Sequence, residues 1–262
     1  MPPDLVTTLR AGLKDGLNAA LDRHADLEVG LDFAIARVPA GTTLEHHDPD
    51  AEVALLVVSG EGELVVDEHR LTFARASWIE DGPAVAHGAA GARFAVIAKT
   101  ACEVAIVAAA NTARFASRIH APADVPIEHR GKGILGDTAY RLVRCAFDRK
   151  NAPPEAKLVL GEVVTLPGRW SSYPPHHHAQ PEIYYYRFSP SHGYGHGECG
   201  ETVHRLQDHD VLRITAGRDH AQVAAPGYHM YYLWAIRHLP DRPYEGFEYA
   251  PEHVGLLPGG GK

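Results

Sequence analysis

Several things are scarce in this sequence, and each shortage removes a class of function. It has three cysteines, Cys102, Cys145 and Cys199. Odd in number and widely scattered, they do not form a disulfide framework, and a reducing, cytoplasmic location is expected. No stretch approaches the roughly 18 uninterrupted apolar residues of a membrane span. The opening residues, MPPDLVTTLRAGLKDG, lack the basic start and apolar block of a secretory signal. Positive charge is also in deficit, with a formal net charge of −8. That argues against a nucleic-acid or acidic-membrane partner, so an anionic small-molecule substrate has to be held by local arginines. No glycine motif of the G-x-G-x-x-G or P-loop type is present, so no nucleotide or redox cofactor is expected.

What is present is apolar sequence in short pieces. At 262 residues and 45% apolar content the chain can fill one large core or two of ordinary size. Leu5, Leu9, Leu13, Leu17 and Leu21 recur every fourth residue, which predicts a short N-terminal helix within a 1–28 extension. Gly12 and Gly16 each weaken such a helix by about 1 kcal/mol relative to alanine. From Phe33 the texture changes to β-type runs, among them FAIARV, VALLVVS, ELVV and EVAIVA. Turn clusters such as Ser59-Gly60-Glu61-Gly62 separate them. Many short strands at close spacing predict an all-β protein of sandwich or barrel type. A first barrel is expected over 29–110, an irregular linker over 111–127, and a second barrel over 128–240. A tail over 241–262 is expected to be loose at its Pro-Gly-Gly-Gly-Lys tip.

The most informative stretch is GRWSSYPPHHHAQPE, from Gly168 to Glu182. Residues i and i+2 of a strand share a face, so His176 and His178 point one way and His177 the other. A tight reversal before the next run, IYYYRF, brings Glu182 beside both imidazoles. Two imidazoles and a carboxylate on one wall suit a divalent transition metal. A strand from Asp210 leads to Gly217 and His220, which offers a fourth ligand. The spacings H-x-H-x3-E and G-x2-H, in that order, are those of the two cupin motifs, with Thr215 replacing the usual proline of the second. The competing reading, a surface loop in a chain with 18 histidines, does not account for a matched pair of motifs.

The same spacing occurs earlier, since His46, Asp48 and Glu52 mirror His176, His178 and Glu182. The halves therefore look like a divergent repeat. Laying Ala89-Ala90-Gly91 on Thr215-Ala216-Gly217 puts Phe94 where His220 stands. The first barrel is thus expected to be structural and metal-free, with His87 a loop histidine.

GRWSSYPPHHH…EIYYYRF, Gly193-Tyr194-Gly195 and HDVLRITAGRDHAQVAAPGYHMYYLWAI together resemble the 5-deoxy-glucuronate isomerase family of inositol degradation. LLVVSGEGELVV, CEVAIVAAA, IEHRGKG and RPYEGFEYAPEH fit the same family. The resemblance covers roughly residues 30 to 254. It implies a bicupin of two jelly-roll barrels, the second holding the metal through His176, His178, Glu182 and His220. Arg169, Ala179 and a shortened loop before Glu182 depart from the family pattern and bear on which uronate is admitted.

The implied reaction converts 5-deoxy-D-glucuronate to 2-deoxy-5-keto-D-gluconate by proton transfer through an enediol. It needs a Lewis acid, a base and cations for the carboxylate. Zinc suits the ligand set, and manganese, iron, nickel and cobalt would also bind. Glu182, Tyr184, Tyr186 and Tyr232 are the catalytic candidates, with a metal-bound hydroxide as an alternative base and aromatic core filling as the alternative role of the tyrosines. Arg187, Arg213 and Arg218 are the candidate substrate cations, Arg218 being best placed by sequence. Two other classes fit a cupin with this ligand set, a metal-dependent dioxygenase and a non-catalytic sugar-acid-binding protein. Edge strands and the leucine stripe are compatible with a homodimer.

Overall fold

The computed structural model describes residues 5–215 and 217–257. The expected loose tip lies outside the described residues. Among the described residues there is no α-helix, only strands and three short 3-10 segments. No helix of the described residues is long and apolar enough to cross a membrane. The strands form three sheets, of nine, seven and five members.

The expected N-terminal helix is replaced by two strands, Val6–Thr8 and Gly16–Leu21. Gly12 and Gly16 take φ values of +96° and +90°, which no right-handed helix contains. Val6–Thr8 pairs with Asp210–Ile214, and Gly16–Leu21 pairs with Leu31–Val38. The leucine stripe has no common face as a result. Leu5 and Leu21 are buried and Leu17 is exposed. Ladder hydrogen bonds to existing sheet edges outweigh the weak local preference of a glycine-containing helix.

The chain forms two compact units, and their division is not linear in sequence. One unit takes Ala11–Pro126 and Cys145–Leu160, and the other takes Met1–Arg10, Ile127–Arg144 and Gly161–Lys262 in their described parts. The first is built on the nine-stranded sheet. Its long strand Ala51–Val66 is continuous through Ser59-Gly60-Glu61-Gly62, where a turn was expected. Gly60, at φ +111°, lets the strand bend there, and a Cβ would lie 2.6 Å from Cys102 Sγ. Val53, Leu55, Val57, Leu64, Val66, Phe94, Val96 and Ile106 fill this core. The expected linker carries its own strand, Arg118–His120, which pairs with Val85–Gly88.

In the other unit the seven-stranded sheet runs, in spatial order, Val6–Thr8, Asp210–Ile214, Glu182–Ser189, His229–Arg237, Leu158–Thr165, Arg141–Phe147 and Ile127–Arg130. The five-stranded sheet runs Thr202–Gln207, Tyr194–Cys199, His220–Ala224, Trp170–His177 and Glu248–Tyr249. Alternation puts Tyr184, Tyr186, Phe188, Leu212, Ile214, Met230 and Tyr232 into one core together with Val143 and Leu206. The expected tail thus contributes the edge strand Glu248–Tyr249, paired with His176–His177.

Candidate metal centre

Three elements bring the candidate ligands together. Trp170–His177 and His220–Ala224 run antiparallel with His176 opposite His220. His178 follows the first of these strands, and Glu182 opens Glu182–Ser189. A donor atom from each of His178, Glu182 and His220 lies within 4.8 Å of the others, the one such group of His, Cys, Asp and Glu among the described residues. His176 packs its ring 4.5 Å from that of His220, edge to face. His177 turns away and pairs through Nδ1 with Asp219 Oδ1 at 2.7 Å.

The electrostatics of this cluster suit a bound cation. Glu182 is 2% exposed, and its Oε1 lies 2.9 Å from His220 Nε2 and 3.5 Å from His178 Nε2. Despite these distances, neither Glu182 Oε1 nor His220 Nε2 has a partner with hydrogen-bond geometry, and both are buried. Orphaned buried polar atoms are costly and call for an explanation. His220 Nδ1 donates to Arg218 O at 3.1 Å and His176 Nδ1 to Pro174 O at 3.3 Å, which makes Nε2 the lone-pair nitrogen of each ring when it is neutral. Burial lowers the His220 imidazole, but Glu182 outweighs burial and raises it. Burial raises the Glu182 carboxyl, but His220 and His178 outweigh it and hold the group well below the usual carboxylate range. Burial and then the neighbouring His220 push His176 down to about 3, so its imidazole is neutral. Two imidazoles and an ionised carboxylate, those of His178, His220 and Glu182, form a donor set that fits a divalent metal, and His176 stands beside that group against the His220 ring.

The tyrosines pack beside the same cluster. Tyr184 stacks on Tyr232 at 4.6 Å and lies 5.9 Å from the His220 ring. A register shift between Ser171 and His176 leaves Ser172 at φ +50°. Its hydroxyl thereby stands 3.1 Å from the Tyr232 hydroxyl and 3.3 Å from that of Tyr184. Tyr186 donates to Gln222 Oε1 at 2.7 Å. Burial, the largest cause in each case, raises all three phenols, Tyr184 and Tyr186 well above the usual tyrosine value. They are neutral hydrogen-bond groups at neutral pH, not phenolate bases.

The expected substrate cations are placed elsewhere. Arg187 and Arg213 fall on the opposite strand phase from Glu182, Tyr184, Leu212 and Ile214. Arg187 is paired with Asp208 at 3.0 Å. Arg218 is exposed and meets the cluster through its backbone carbonyl. A period of two sets the side for Arg187 and Arg213, and the sequence already contained that information.

Sequence reasoning missed other members. Phe247 packs 4.1 Å from His176 and Tyr244 packs 4.9 Å from His178. Both lie in RPYEGFEYAPEH, whose family resemblance was the available signal. Ala250 N donates to Pro175 O at 2.9 Å and holds this segment in place. Arg141, in a run that read only as a strand, carried no signal.

In the other unit, the partner motif does not assemble. His87 is a strand residue and not a loop histidine; it is 1% exposed and stacks on Phe147 at 4.1 Å. It lies 2.7 Å from Glu52 Oε1, within hydrogen-bond distance. Asp48 pairs with Arg23 at 2.9 Å.

Residues 13–256 match the model of the KduI/IolB family. A 5-deoxy-glucuronate isomerase of Geobacillus kaustophilus is 26% identical over 243 residues, covering 80% of this chain and 83% of that protein. One from Lacticaseibacillus casei is 32% identical over 183 residues, 64% of each chain. The crystal structure of an IolB-like protein from Salmonella typhimurium superimposes with a TM-score of 0.83 at 20% identity, over 97% of this chain and 99% of that one. A variant of Bacillus subtilis oxalate decarboxylase matches with a TM-score of 0.67 at 12% identity, over 99% of this chain and 82% of that one. At such identities the structural likenesses show the fold.

Proposed function

The chain belongs to the KduI/IolB family, and from that premise we propose that it is a metal-dependent aldose–ketose isomerase acting on 5-deoxy-D-glucuronate. The product is 2-deoxy-5-keto-D-gluconate, and the fold is that of a bicupin with its metal in the unit containing Glu182. The names of the relatives supply the substrate. The observation that carries the chemistry is the orphaned, buried Glu182 Oε1 among imidazoles.

His176, His178, Glu182 and His220 would hold the metal. Zinc suits three imidazoles and one carboxylate, and manganese, iron, cobalt and nickel are accepted by the same set. When bound, such an ion supplies Lewis-acid polarisation of a carbonyl and its neighbouring hydroxyl. The rest of the site acts on the sugar. Tyr184 and Tyr232, joined through Ser172, present buried neutral hydroxyls beside the ligand cluster. There they can donate to oxygens that become negative in the enediol. Phe247 and Tyr244 cover the histidines and exclude water from the reacting carbons. The proton moves between the two carbons of the aldose end, and the carboxylate end takes no part in the bond changes.

Turnover in deuterated water, with metal-loaded and metal-stripped protein, tests the reading. The expected result is metal-dependent solvent deuterium at the former aldehyde carbon. No turnover of this uronate by fully loaded protein would refute the assignment.

A further inference from the structure

We infer that Arg141 anchors the carboxylate of the sugar acid, through the Nε–H and Nη2–H edge of its guanidinium. The inference rests on the isomerase reading for the identity of the ligand, and on four structural observations for the site. The first is strand phase. Arg141 and Val143 share a face of Arg141–Phe147, and Val143 belongs to the core made with Tyr184, Tyr186 and Tyr232. Arg144, on the other face, is consumed in a buried pair with Glu162 at 2.9 Å.

The second observation is the hydrogen-bond inventory. Arg141 Nη1 donates to Ala139 O at 2.9 Å and to Tyr173 O at 3.3 Å. Those two bonds use both hydrogens of Nη1 and leave Nε–H and the Nη2 pair, the fork that matches a carboxylate. No carboxylate of the described residues pairs with Arg141, although most of the neighbouring arginines have one: Arg130 has Glu128, Arg144 has Glu162 and Arg187 has Asp208. Nε and Nη2 are also absent from the buried orphaned atoms, so an incoming ligand can reach them.

The third is the surroundings. Arg141 Nη1 bonds the carbonyl of Tyr173, the residue after Ser172, whose hydroxyl stands 3.1 Å from that of Tyr232 and 3.3 Å from that of Tyr184. Tyr184 lies beside His220 and Tyr249 beside His176. Arg141 is therefore tied to the strand segment between Ser172 and His176, and a chain acid gripped there at one end can present its aldehyde to the ligand cluster at the other. Burial pulls the guanidinium down from its usual value, as expected of a cation held without a fixed counter-charge.

The fourth is preorganisation. A Cβ on Gly131 would lie 2.3 Å from Ala139 O and 3.2 Å from Arg141 Nη1, and Gly131 sits at φ +74°. The IEHRGKG segment thus packs its bare backbone against the Nη1 edge of the guanidinium and leaves the Nε and Nη2 edge to a ligand.

The test uses metal-loaded full-length protein and two non-reacting ligands. One is the substrate with its aldehyde reduced and its carboxylate kept. The other is the polyol in which the carboxylate is also replaced by a primary alcohol. Calorimetry on wild type and Arg141→Met should show about a 10- to 100-fold loss of affinity for the acid, the range for a charge-assisted hydrogen-bonded contact. The polyol should bind both proteins equally, and metal content should be unchanged. Arg141→Lys, which keeps the charge without the fork, should fall between them and decides the matter if the methionine variant does not fold. Equal binding of the acid by wild type and variants would overturn the inference. So would an equal loss for both ligands, or no binding of the acid by wild type. Arg141-dependent binding of the acid without turnover of the aldehyde would instead sink the isomerase reading and leave the anchor standing.

Discussion

Glu52 and Glu182 hold matching places in the two halves of this chain, and they are satisfied in opposite ways. The match is real in three dimensions: His46 pairs across the ladder with Phe94 as His176 does with His220. Glu52 takes four contacts, from Asn111 Nδ2 at 2.8 Å, Lys157 N at 2.6 Å, Leu158 N at 3.1 Å and His87 Nε2 at 2.7 Å. Both oxygens are used within the protein. Glu182 Oε1 has no hydrogen-bond partner. Both carboxyls are pushed up by burial, and both end below the usual range. His87, Asn111 and a backbone N–H do this for Glu52, whereas His220 and His178 do it for Glu182. One scaffold position has been turned into a structural knot and the other into an open ligand. The change of His220 to Phe94 goes with that split, since Phe94 fills apolar core where the other unit keeps an imidazole.

Four substitutions or titrations can break or sharpen this contrast. The largest effect is expected for Glu182→Gln. Loss of an anionic ligand should remove the metal and lower turnover by about 10^3-fold or more, equivalent to several kcal/mol of charge stabilisation. Fold stability of the metal-free protein should fall less than in Glu52→Ala, because Glu182 Oε1 has no hydrogen bond to lose and only its attraction to His220 and His178 goes. Metal analysis, turnover and a denaturant melt read the three quantities, and a metal-replete variant would break the contrast.

Glu52→Ala should do the reverse, costing about 3–5 kcal/mol of stability by stranding buried donors while metal content per folded molecule is retained. Denaturant unfolding with metal analysis checks it, and loss of metal with intact stability would reverse the roles given to the two glutamates.

A smaller effect is expected on acidification. The folded pKa of Glu52 is depressed, so its contribution is present above the unfolded carboxyl value and is lost as pH falls through the lower folded value. Wild-type stability should therefore decline below about pH 4.5 with up to about 1.4 kcal/mol per pH unit from this one group. Glu52→Gln should flatten that limb, and unchanged slopes in paired melts would remove Glu52 from the account.

The smallest effect is expected for His177→Ala. Its pair with Asp219 is solvent-exposed on both sides and should be worth at most about 1 kcal/mol. Metal should be kept, whereas His178→Ala should lose it. Metal loss from the first and not the second would mean that the wrong strand face was assigned.

The sequence determined this protein's local alternations. The His176–His178 phase, the reversal to Glu182 and the all-β texture all follow from spacing and composition. So does the phase that puts Arg187 and Arg213 on the strand face opposite Glu182 and Tyr184. The tertiary structure decided what depends on distant partners. A leucine stripe reads as a helix until two sheet edges offer hydrogen bonds to Val6–Thr8 and Gly16–Leu21. Nothing near Glu52 in sequence announces Asn111, Lys157 or His87, and nothing near Arg141 announces the carbonyl of Tyr173. A strand's period assigns a side chain to a face. Only the packing of other strands onto that face decides whether the side chain meets a donor, a metal-binding neighbour or open cavity.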